Sequence, residues 1–204
     1  MLNIGVLVSG GGTNLQALID AQNSGIIKSG RIVTVVSNKK DAYAIKRAEK
    51  AGIDSHVILK SECKDAEDFD IALRDYMKKM NVDIVVLAGF LAILGSRFID
   101  AYRDRIVNIH PSLIPSFCGD GFYGLKVHQA ALDYGVKVTG ATVHLVNEIT
   151  DGGKILMQKA VYINEDDTAE TLQKRVMEEA EWQILPRAVE NLCNITEEMC
   201  YEHL

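Results

Sequence analysis

The stretch Val82-Asp83-Ile84-Val85-Val86-Leu87 decides the fold class of this chain. It is nearly all aliphatic, which is typical of a central strand in a parallel sheet that is buried on both faces. A second apolar run, Ile106 to Ile109, follows after a short predicted helix over 96–102. Two buried strands joined through a helix indicate a βαβ unit. The sequence therefore predicts an α/β fold built around this stretch.

The same alternation of strands and helices extends toward the N-terminus. Apolar runs predict strands over 2–8, 32–36 and 57–59, and helical periodicity predicts helices over 14–22, 42–51 and 65–80. The resulting order is β-α-β-α-β-α-β-α-β. This order predicts a doubly wound, mostly parallel sheet flanked by helices, of the Rossmann type.

The pattern changes in the C-terminal half of the chain. A predicted helix over 125–133 is followed by two β-like stretches, over 138–146 and 155–162, with Asp151-Gly152-Gly153 as the turn between them. We therefore expect an antiparallel β extension of the sheet there. A last helix is predicted over 169–192. These features predict a single domain over residues 1–192, followed by a C-terminal tail over 193–204.

Composition excludes several classes of function. The 204-residue chain has a formal net charge of −6 and no Lys/Arg cluster of the kind that binds nucleic acids, so we expect no nucleic-acid partner. The longest apolar run, over 84–94, is too short to span a bilayer, so we expect no membrane association. The 4 cysteines form no C-x-x-C pair, and no secretory signal precedes the first strand. We expect a cytoplasmic protein that is a monomer or a homodimer.

A segment dense in functional groups, Asn108-Ile109-His110-Pro111-Ser112-Leu113-Ile114-Pro115, continues the strand at 106–109. Its prolines favour extended geometry in the residues before them, so Asn108 and His110 point to the same side. The carboxyl ends of strands line the ligand crevice of open α/β sheets. An amide can donate to a developing oxyanion, and an imidazole can carry a proton near neutral pH. This pair predicts acyl-type transfer, with a purely structural pair as the alternative.

Two more polar residues could belong to the same site. Asp151 is either a third catalytic group or only part of a tight turn. If the turn folds over His110, the carboxylate favours the imidazolium form and raises the pKa of His110. His144 lies in the middle of a predicted strand, where it either contacts this site or packs in the core. The sequence leaves both questions open.

The loop Ser9-Gly10-Gly11-Gly12-Thr13-Asn14 joins the first strand to the first helix. Backbone N–H groups at such a junction bind phosphate well. A dinucleotide fingerprint needs a third glycine where Leu15 stands, and a P-loop needs Gly-Lys-Ser/Thr, which is absent. The loop therefore predicts a simple phosphate monoester as ligand, with a tight turn that binds nothing as the alternative. No spacing typical of metal ligands occurs, so we expect no metal site.

Together these motifs resemble those of the phosphoribosylglycinamide formyltransferases, folate-dependent enzymes of purine synthesis. The resemblance covers nearly the whole chain and rests on residues 8–16, Leu87-Ala88-Gly89-Phe90, residues 108–113 and Asp151-Gly152-Gly153. It implies a formyltransferase-like variant of the predicted fold. It also implies direct transfer of a formyl group, through a tetrahedral intermediate, from the co-substrate 10-formyltetrahydrofolate to the amine of glycinamide ribonucleotide.

The resemblance also implies a role for individual residues. Asn108, His110 and Asp151 would be catalytic, and Asn108 would also contact the folate. The substrate phosphate would be held by Gly12, Thr13 and Asn14, and the ribonucleotide would also contact Glu181. The folate site would be lined mostly through backbone and apolar contacts by Phe90, Leu91, Ala92, Ile93 and Leu94.

This chain departs from the family pattern at two positions. Ala92 stands where related enzymes often carry arginine, which removes one polar contact near the folate. The loop over 116–124 is longer than the commonest family pattern, so its geometry is not implied by the resemblance. Neither departure touches the groups expected to carry the chemistry.

Two other functions compete with this one. A related formyl-folate enzyme would use another acceptor, and a deformylase would use water. We expect an additional N-terminal domain in a deformylase, and an additional RNA-binding domain with a basic face in a methionyl-tRNA formyltransferase. A non-catalytic phosphosugar-binding module would keep the glycine loop but would leave Asn108, His110 and Asp151 without a shared role.

Overall fold

The computed structural model describes the backbone of residues 1–201 and the side chains of residues 1–198. One seven-stranded sheet forms its centre. The strands are β1 (Leu2–Val8), β2 (Gly30–Ser37), β3 (Asp54–Val57), β4 (Ile84–Leu87), β5 (Ile106–His110), β6 (Val138–Leu145) and β7 (Ile155–Tyr162).

Seven α-helices connect and flank these strands. They are α1 (Thr13–Asn23), α2 (Tyr43–Lys50), α3 (Ala66–Lys79), α4 (Ser96–Ala101), α5 (Leu125–Tyr134), α6 (Ala169–Val176) and α7 (Trp182–Tyr201). A short 3₁₀ turn covers Lys60–Glu62, and a π-helical segment, Met177–Glu181, joins α6 to α7.

The strand order is β3-β2-β1-β4-β5-β6-β7. The first five strands pair in parallel, whereas β6 runs antiparallel to both β5 and β7. The predicted fold class, a doubly wound and mostly parallel sheet with an antiparallel extension, is thereby confirmed. The strand order reverses direction between β1 and β4, and that reversal opens a crevice at the carboxyl ends of the strands.

Two apolar clusters cover the two faces of the sheet. In β4, Ile84 and Val86 point into the cluster formed with α1 and α7, whereas Val85 and Leu87 point into the cluster formed with α3 and α4. All four side chains are buried. The aliphatic run at 82–87 is therefore a central strand between two cores, as its composition predicted.

Two predicted elements differ from the observed ones. The third strand spans Asp54–Val57 and not 57–59, because it pairs with Thr34–Ser37 of β2 at the edge of the sheet, where no apolar run marks it. The single helix predicted over 169–192 is split by the π-helical segment and continues to Tyr201. It continues because Cys193 is buried in the same core as Leu192.

The helix α7 crosses the boundary predicted between residues 192 and 193. The division into a domain over 1–192 and a tail over 193–204 stays a prediction. Residues 202–204 of that tail lie outside the described residues. Among the helices described, none combines the length and the apolar character needed to cross a lipid bilayer.

Candidate active site

A cavity of about 790 Å³ opens at the carboxyl ends of the central strands. Its walls come from the loop after β4, the end of β5, the loop before α5, the turn before β7 and the π-helical segment. The predicted site residues that line it are Asn14, Phe90, Leu91, Ala92, Ile93, Leu94, Asn108, His110, Asp151 and Glu181.

Asn108 is positioned by its pairing with the antiparallel strand β6. In the β5–β6 register Asn108 lies opposite His144, and its Nδ2 is 3.0 Å from His144 Nε2. The other ring nitrogen, His144 Nδ1, lies 2.9 Å from the carbonyl oxygen of Leu145. This network assigns the ring proton to Nδ1, so Nε2 accepts a hydrogen bond from the amide of Asn108. The second N–H of that amide is left for a ligand.

The carboxylate of Asp151 lies between two imidazoles. Its Oδ2 is 3.4 Å from His110 Nδ1, and its Oδ1 is 3.5 Å from His144 Nε2. The backbone N–H of Gly119 also donates to Oδ2 at 2.9 Å. Burial alone raises the pKa of Asp151, but the contacts with His144 and His110 and the hydrogen bond from the N–H of Gly119 outweigh it, and the net pKa is lowered. The carboxylate is therefore ionised at neutral pH.

His110 is only 4% exposed, and both of its ring nitrogens face other groups. Nε2 lies 2.9 Å from the carbonyl oxygen of Phe117, and Nδ1 faces Asp151. Burial lowers the pKa of His110, and it outweighs the carbonyl of Phe117 and the charge of Asp151, which raise it. The contact with Asp151 that the sequence left open is present. The carboxylate does favour a higher pKa of His110, but burial outweighs it and the net pKa is lowered. His110 is neutral at pH 7, with its proton on Nε2.

The glycine loop begins α1 in a conformation that favours glycine. Gly12 has φ 72°, and a Cβ placed there would lie 2.6 Å from the Cβ of Ala44. Within the described part of the chain no side chain caps α1, so the N–H groups of its first turn are available to an anion. Gly12 and Thr13 do not line the large cavity, and Thr13 instead lines a separate depression of about 560 Å³.

The side chain of Asn14 turns toward the π-helical segment. Its Nδ2 donates to Glu181 Oε2 at 2.6 Å, and both residues are buried in the cavity wall. Asn14 Oδ1 has no hydrogen-bond partner among the described residues. Burial raises the pKa of Glu181 to about 7, against the hydrogen bond from Asn14, which lowers it. The pair therefore leaves one buried oxygen acceptor, Asn14 Oδ1, without a partner in the cavity wall.

The loop between β4 and α4 forms an apolar rim. Phe90 and Leu94 are buried and anchor this loop in the core, whereas Leu91 is 55% exposed and Ile93 is 73% exposed. Ala92 packs against the same core and offers no polar side-chain contact. A flat apolar ligand with polar edges suits such a rim, because the backbone of the loop supplies the hydrogen bonds.

Several groups in this site carried no decisive sequence signal. His144 is in the site, but its contact with Asn108 depends on the β5–β6 register, which the sequence does not specify. Phe117 and Gly119 act through backbone atoms of the long loop. His128 lines the cavity with both ring nitrogens buried and unpartnered within the described residues. Burial lowers its pKa to about 4, and the charge of His110 adds to this effect.

Residues 1–198 contain no group of three or more His, Cys, Asp or Glu side chains that could hold a metal ion. The chemistry available in the cavity is that of amides, imidazoles and carboxylates. Donors for an oxyanion and acceptors for a proton lie within one wall, next to a binding surface that is apolar on one side and polar on the other.

Proteins of known family are similar to this chain over most of its length. The family described as formyl transferase matches residues 2–189. Phosphoribosylglycinamide formyltransferase of Haemophilus influenzae is 42% identical over 189 residues, which are 93% of this chain and 86% of that protein. The trifunctional purine biosynthetic protein adenosine-3 of Bos taurus is 43% identical over 187 residues. The match covers 92% of this chain but only 18% of that longer protein.

Solved structures give the same result. Glycinamide ribonucleotide transformylase 1 from Symbiobacterium toebii superposes with a TM-score of 0.90 and 41% identity, over 95% of this chain and 88% of that one. Phosphoribosylglycinamide formyltransferase from Brucella melitensis superposes with a TM-score of 0.85 and 40% identity, over 94% of this chain and 95% of that one. Every cavity residue named above lies within the range 2–189.

Proposed function

We propose, from the premise that this chain belongs to the formyl transferase family, that it transfers a formyl group to the amine of glycinamide ribonucleotide in purine biosynthesis. Membership of this family implies a folate-derived formyl donor, and we propose 10-formyltetrahydrofolate. The observation that carries the proposal is the convergence of Asn108, His110 and Asp151 on one wall of the cavity.

The two substrates approach from different sides of the catalytic wall. The ribonucleotide phosphate binds at the N-terminus of α1, where Gly12 and Thr13 offer backbone N–H groups and the helix dipole favours an anion. Asn14 and Glu181 contact the rest of the ribonucleotide. The folate lies along the apolar rim formed by residues 90–94, and its formyl group reaches Asn108.

The reaction is an acyl transfer without a covalent enzyme intermediate. The substrate amine attacks the formyl carbon, which becomes tetrahedral and places a negative charge on the formyl oxygen. The free N–H of Asn108 donates to this oxyanion, and removal of one such donor typically costs ~10²–10³ in rate. The bond from the formyl carbon to the donor nitrogen then breaks, and that nitrogen takes up a proton.

His110 and Asp151 carry out the proton transfer. The neutral His110 accepts the proton lost by the attacking amine at its unprotonated Nδ1, beside Asp151, and returns it to the leaving nitrogen of the folate. The imidazolium formed in between lies beside the ionised Asp151, which stabilises it. Since this positive charge develops only together with the oxyanion, it stabilises the transition state more than the ground state, which is what accelerates a reaction.

Turnover of 10-formyltetrahydrofolate, with and without glycinamide ribonucleotide, tests the proposal. We expect turnover by the wild type that requires the ribonucleotide, and a fall of ~10²–10³ or more in His110→Ala. His56→Ala is the matched control, because His56 is exposed and stacks on Tyr76 outside the cavity. Equal loss in both variants would contradict the role of His110.

The same assay separates the competing functions. Donor turnover that ignores the ribonucleotide would identify a deformylase. A folded protein that binds the ribonucleotide but turns over no donor would identify a phosphosugar-binding module. We further propose that the protein acts in the cytoplasm as a monomer or a homodimer.

A further inference from the structure

Ser9 is a buried side chain at the end of β1, where the strand order reverses. It is only 3% exposed, and its hydroxyl makes two hydrogen bonds. Ser9 Oγ donates to Asn38 Oδ1 at 2.7 Å and accepts from the backbone N–H of Leu91 at 2.8 Å. These partners follow β2 and β4, the two neighbours of β1 in the sheet. One hydroxyl therefore joins the carboxyl ends of three adjacent strands.

The bond to Leu91 acts on the loop that forms the apolar rim. This loop leaves β4 through Gly89, which has φ 74°, and Leu91 is its first exposed side chain. Phe90 and Leu94 anchor the two ends of the rim in the core. The N–H of Leu91 is the point at which the intervening segment is attached to β1.

Asn38 determines which way the Ser9 hydroxyl points. A serine hydroxyl has one proton and can rotate it toward any nearby acceptor. With its proton directed to Asn38 Oδ1, the oxygen keeps its lone pairs free to accept from the N–H of Leu91. Ser9 and Asn38 do not line the cavity, although their neighbour Lys39 does. They lie behind the wall and act on a ligand only through the rim.

We infer that Ser9, oriented by Asn38, is a positioning residue that fixes the folate-binding rim against the glycine loop. The inference rests on the proposed function, because it takes residues 90–94 as the folate-binding surface. Ser9 precedes Gly10, so the same residue that begins the phosphate loop also holds the rim. Its hydroxyl therefore sets the spacing between the two substrates.

The variant Ser9→Ala tests this role by removing one oxygen from a buried site. We expect the KM for 10-formyltetrahydrofolate to rise about tenfold, which corresponds to ~1.4 kcal/mol, the cost of a lost hydrogen bond that leaves the part-buried N–H of Leu91 without its partner. The KM for glycinamide ribonucleotide should stay within about twofold of the wild type. A purely structural role would lower the thermal stability without separating the two KM values.

Asn3→Ala is the matched control for stability. Asn3 lies at the opposite end of β1, where its Nδ2 donates to the carbonyl of Asn81 at 2.8 Å, across a similar distance in sequence. This variant removes an exposed hydrogen bond, so it should lose some thermal stability and leave both KM values unchanged. A rise in the donor KM equal to that in Ser9→Ala would overturn the inference.

Asn38 provides a second, independent test. Asn38→Asp keeps an oxygen acceptor for the Ser9 hydroxyl and should retain most of the affinity for the donor, whereas Asn38→Ala should raise the donor KM. The double variant with Ser9→Ala should be no worse than Ser9→Ala alone, since both act through one hydrogen bond. Additive effects would overturn the inference. If Ser9→Ala does not fold, the donor KM values of the two Asn38 variants test the positioning role.

A binding measurement separates this inference from the proposed function. The Kd for tetrahydrofolate is measured by calorimetry under anaerobic conditions for the wild type and for each variant, without ribonucleotide. A wild type that binds tetrahydrofolate but transfers no formyl group would refute the function, and the variants would still report on the rim. A donor affinity in Ser9→Ala within twofold of the wild type would refute the positioning role.

Discussion

Replacement of Glu181 by glutamine should change how the stability of this protein depends on pH. Burial raises the pKa of Glu181 to about 7 from the ordinary value of 4.5. Because the folded-state pKa lies above the unfolded one, the folded state favours the protonated carboxyl. The contribution of Glu181 to stability is therefore fully present below pH 4.5 and is lost as the pH rises through 7. Glu181→Gln keeps an oxygen acceptor for Asn14 and removes the titration.

The magnitude follows from the separation of the two pKa values. Each unit of difference is worth ~1.36 kcal/mol, so the ionised carboxylate costs the folded state about 3 kcal/mol at pH 8 and about 1 kcal/mol at pH 5.5. When the pH is raised from 5.5 to 8, the free energy of unfolding of Glu181→Gln should therefore increase by about 2 kcal/mol relative to that of the wild type.

Urea denaturation at pH 5.5, 7.0 and 8.0 measures this difference. The control is Glu190→Gln on α7, since Glu190 accepts hydrogen bonds from the N–H groups of Lys28 and Ser29. Burial raises the pKa of Glu190, but these hydrogen bonds outweigh it and the net pKa is lowered. The stabilising effect of the ionised Glu190 is complete at pH 5.5, so Glu190→Gln should lose the same amount of stability at all three pH values. If the difference in stability between Glu181→Gln and the wild type is equally constant across these pH values, Glu181 does not titrate with a raised pKa.

Three further predictions concern the cavity and its borders. Gly12→Ala should cost more than about 2 kcal/mol of stability, because alanine is strained at φ 72° and its Cβ would lie 2.6 Å from the Cβ of Ala44, and it should weaken binding of the ribonucleotide phosphate. Gly10→Ala, with nothing within 4 Å of the added methyl group, is its control in urea titrations and kinetics. When the pH is lowered from 8 to 5, the free energy of unfolding of His128→Leu should increase by about 2 kcal/mol relative to that of the wild type. The reason is that a histidine whose pKa is lowered to about 4 in the folded state destabilises the fold as the pH falls from 6.5. Parallel pH profiles would contradict this. In Asp151→Asn the pKa of His110, followed by NMR, should fall below its wild-type value, since the carboxylate raises it, and a rise would contradict the account.

The sequence predicted the fold class because the central elements are defined by local composition. The run at 82–87 is buried on both faces, and that burial is visible as an unbroken aliphatic stretch. The bounds predicted for the edge strand β3 were wrong, since this strand is held by backbone pairing to β2 and carries no apolar signal of its own. The last helix was predicted too short, because the burial of Cys193 against the core depends on tertiary packing.

The candidate site shows the same division. Asn108 and His110 were predicted to share a face because alternate residues of one strand do, and both line the cavity. The contact of His144 with Asn108 depends on strand register, and the contacts of Phe117 and Gly119 depend on the course of a long loop. The pKa of His110 was expected to rise if Asp151 folded over it, and it is lowered because the extent of burial is not visible in the sequence.

Formyl transfer to the ribonucleotide can be followed with a labelled formyl group. The protein is incubated with 10-formyltetrahydrofolate that carries ¹³C in the formyl carbon and with an equal amount of glycinamide ribonucleotide, and the products are separated and analysed. The account predicts that the label appears in an amide on the ribonucleotide, one for each tetrahydrofolate formed. Label released as formate at the same rate whether or not the ribonucleotide is present would contradict it.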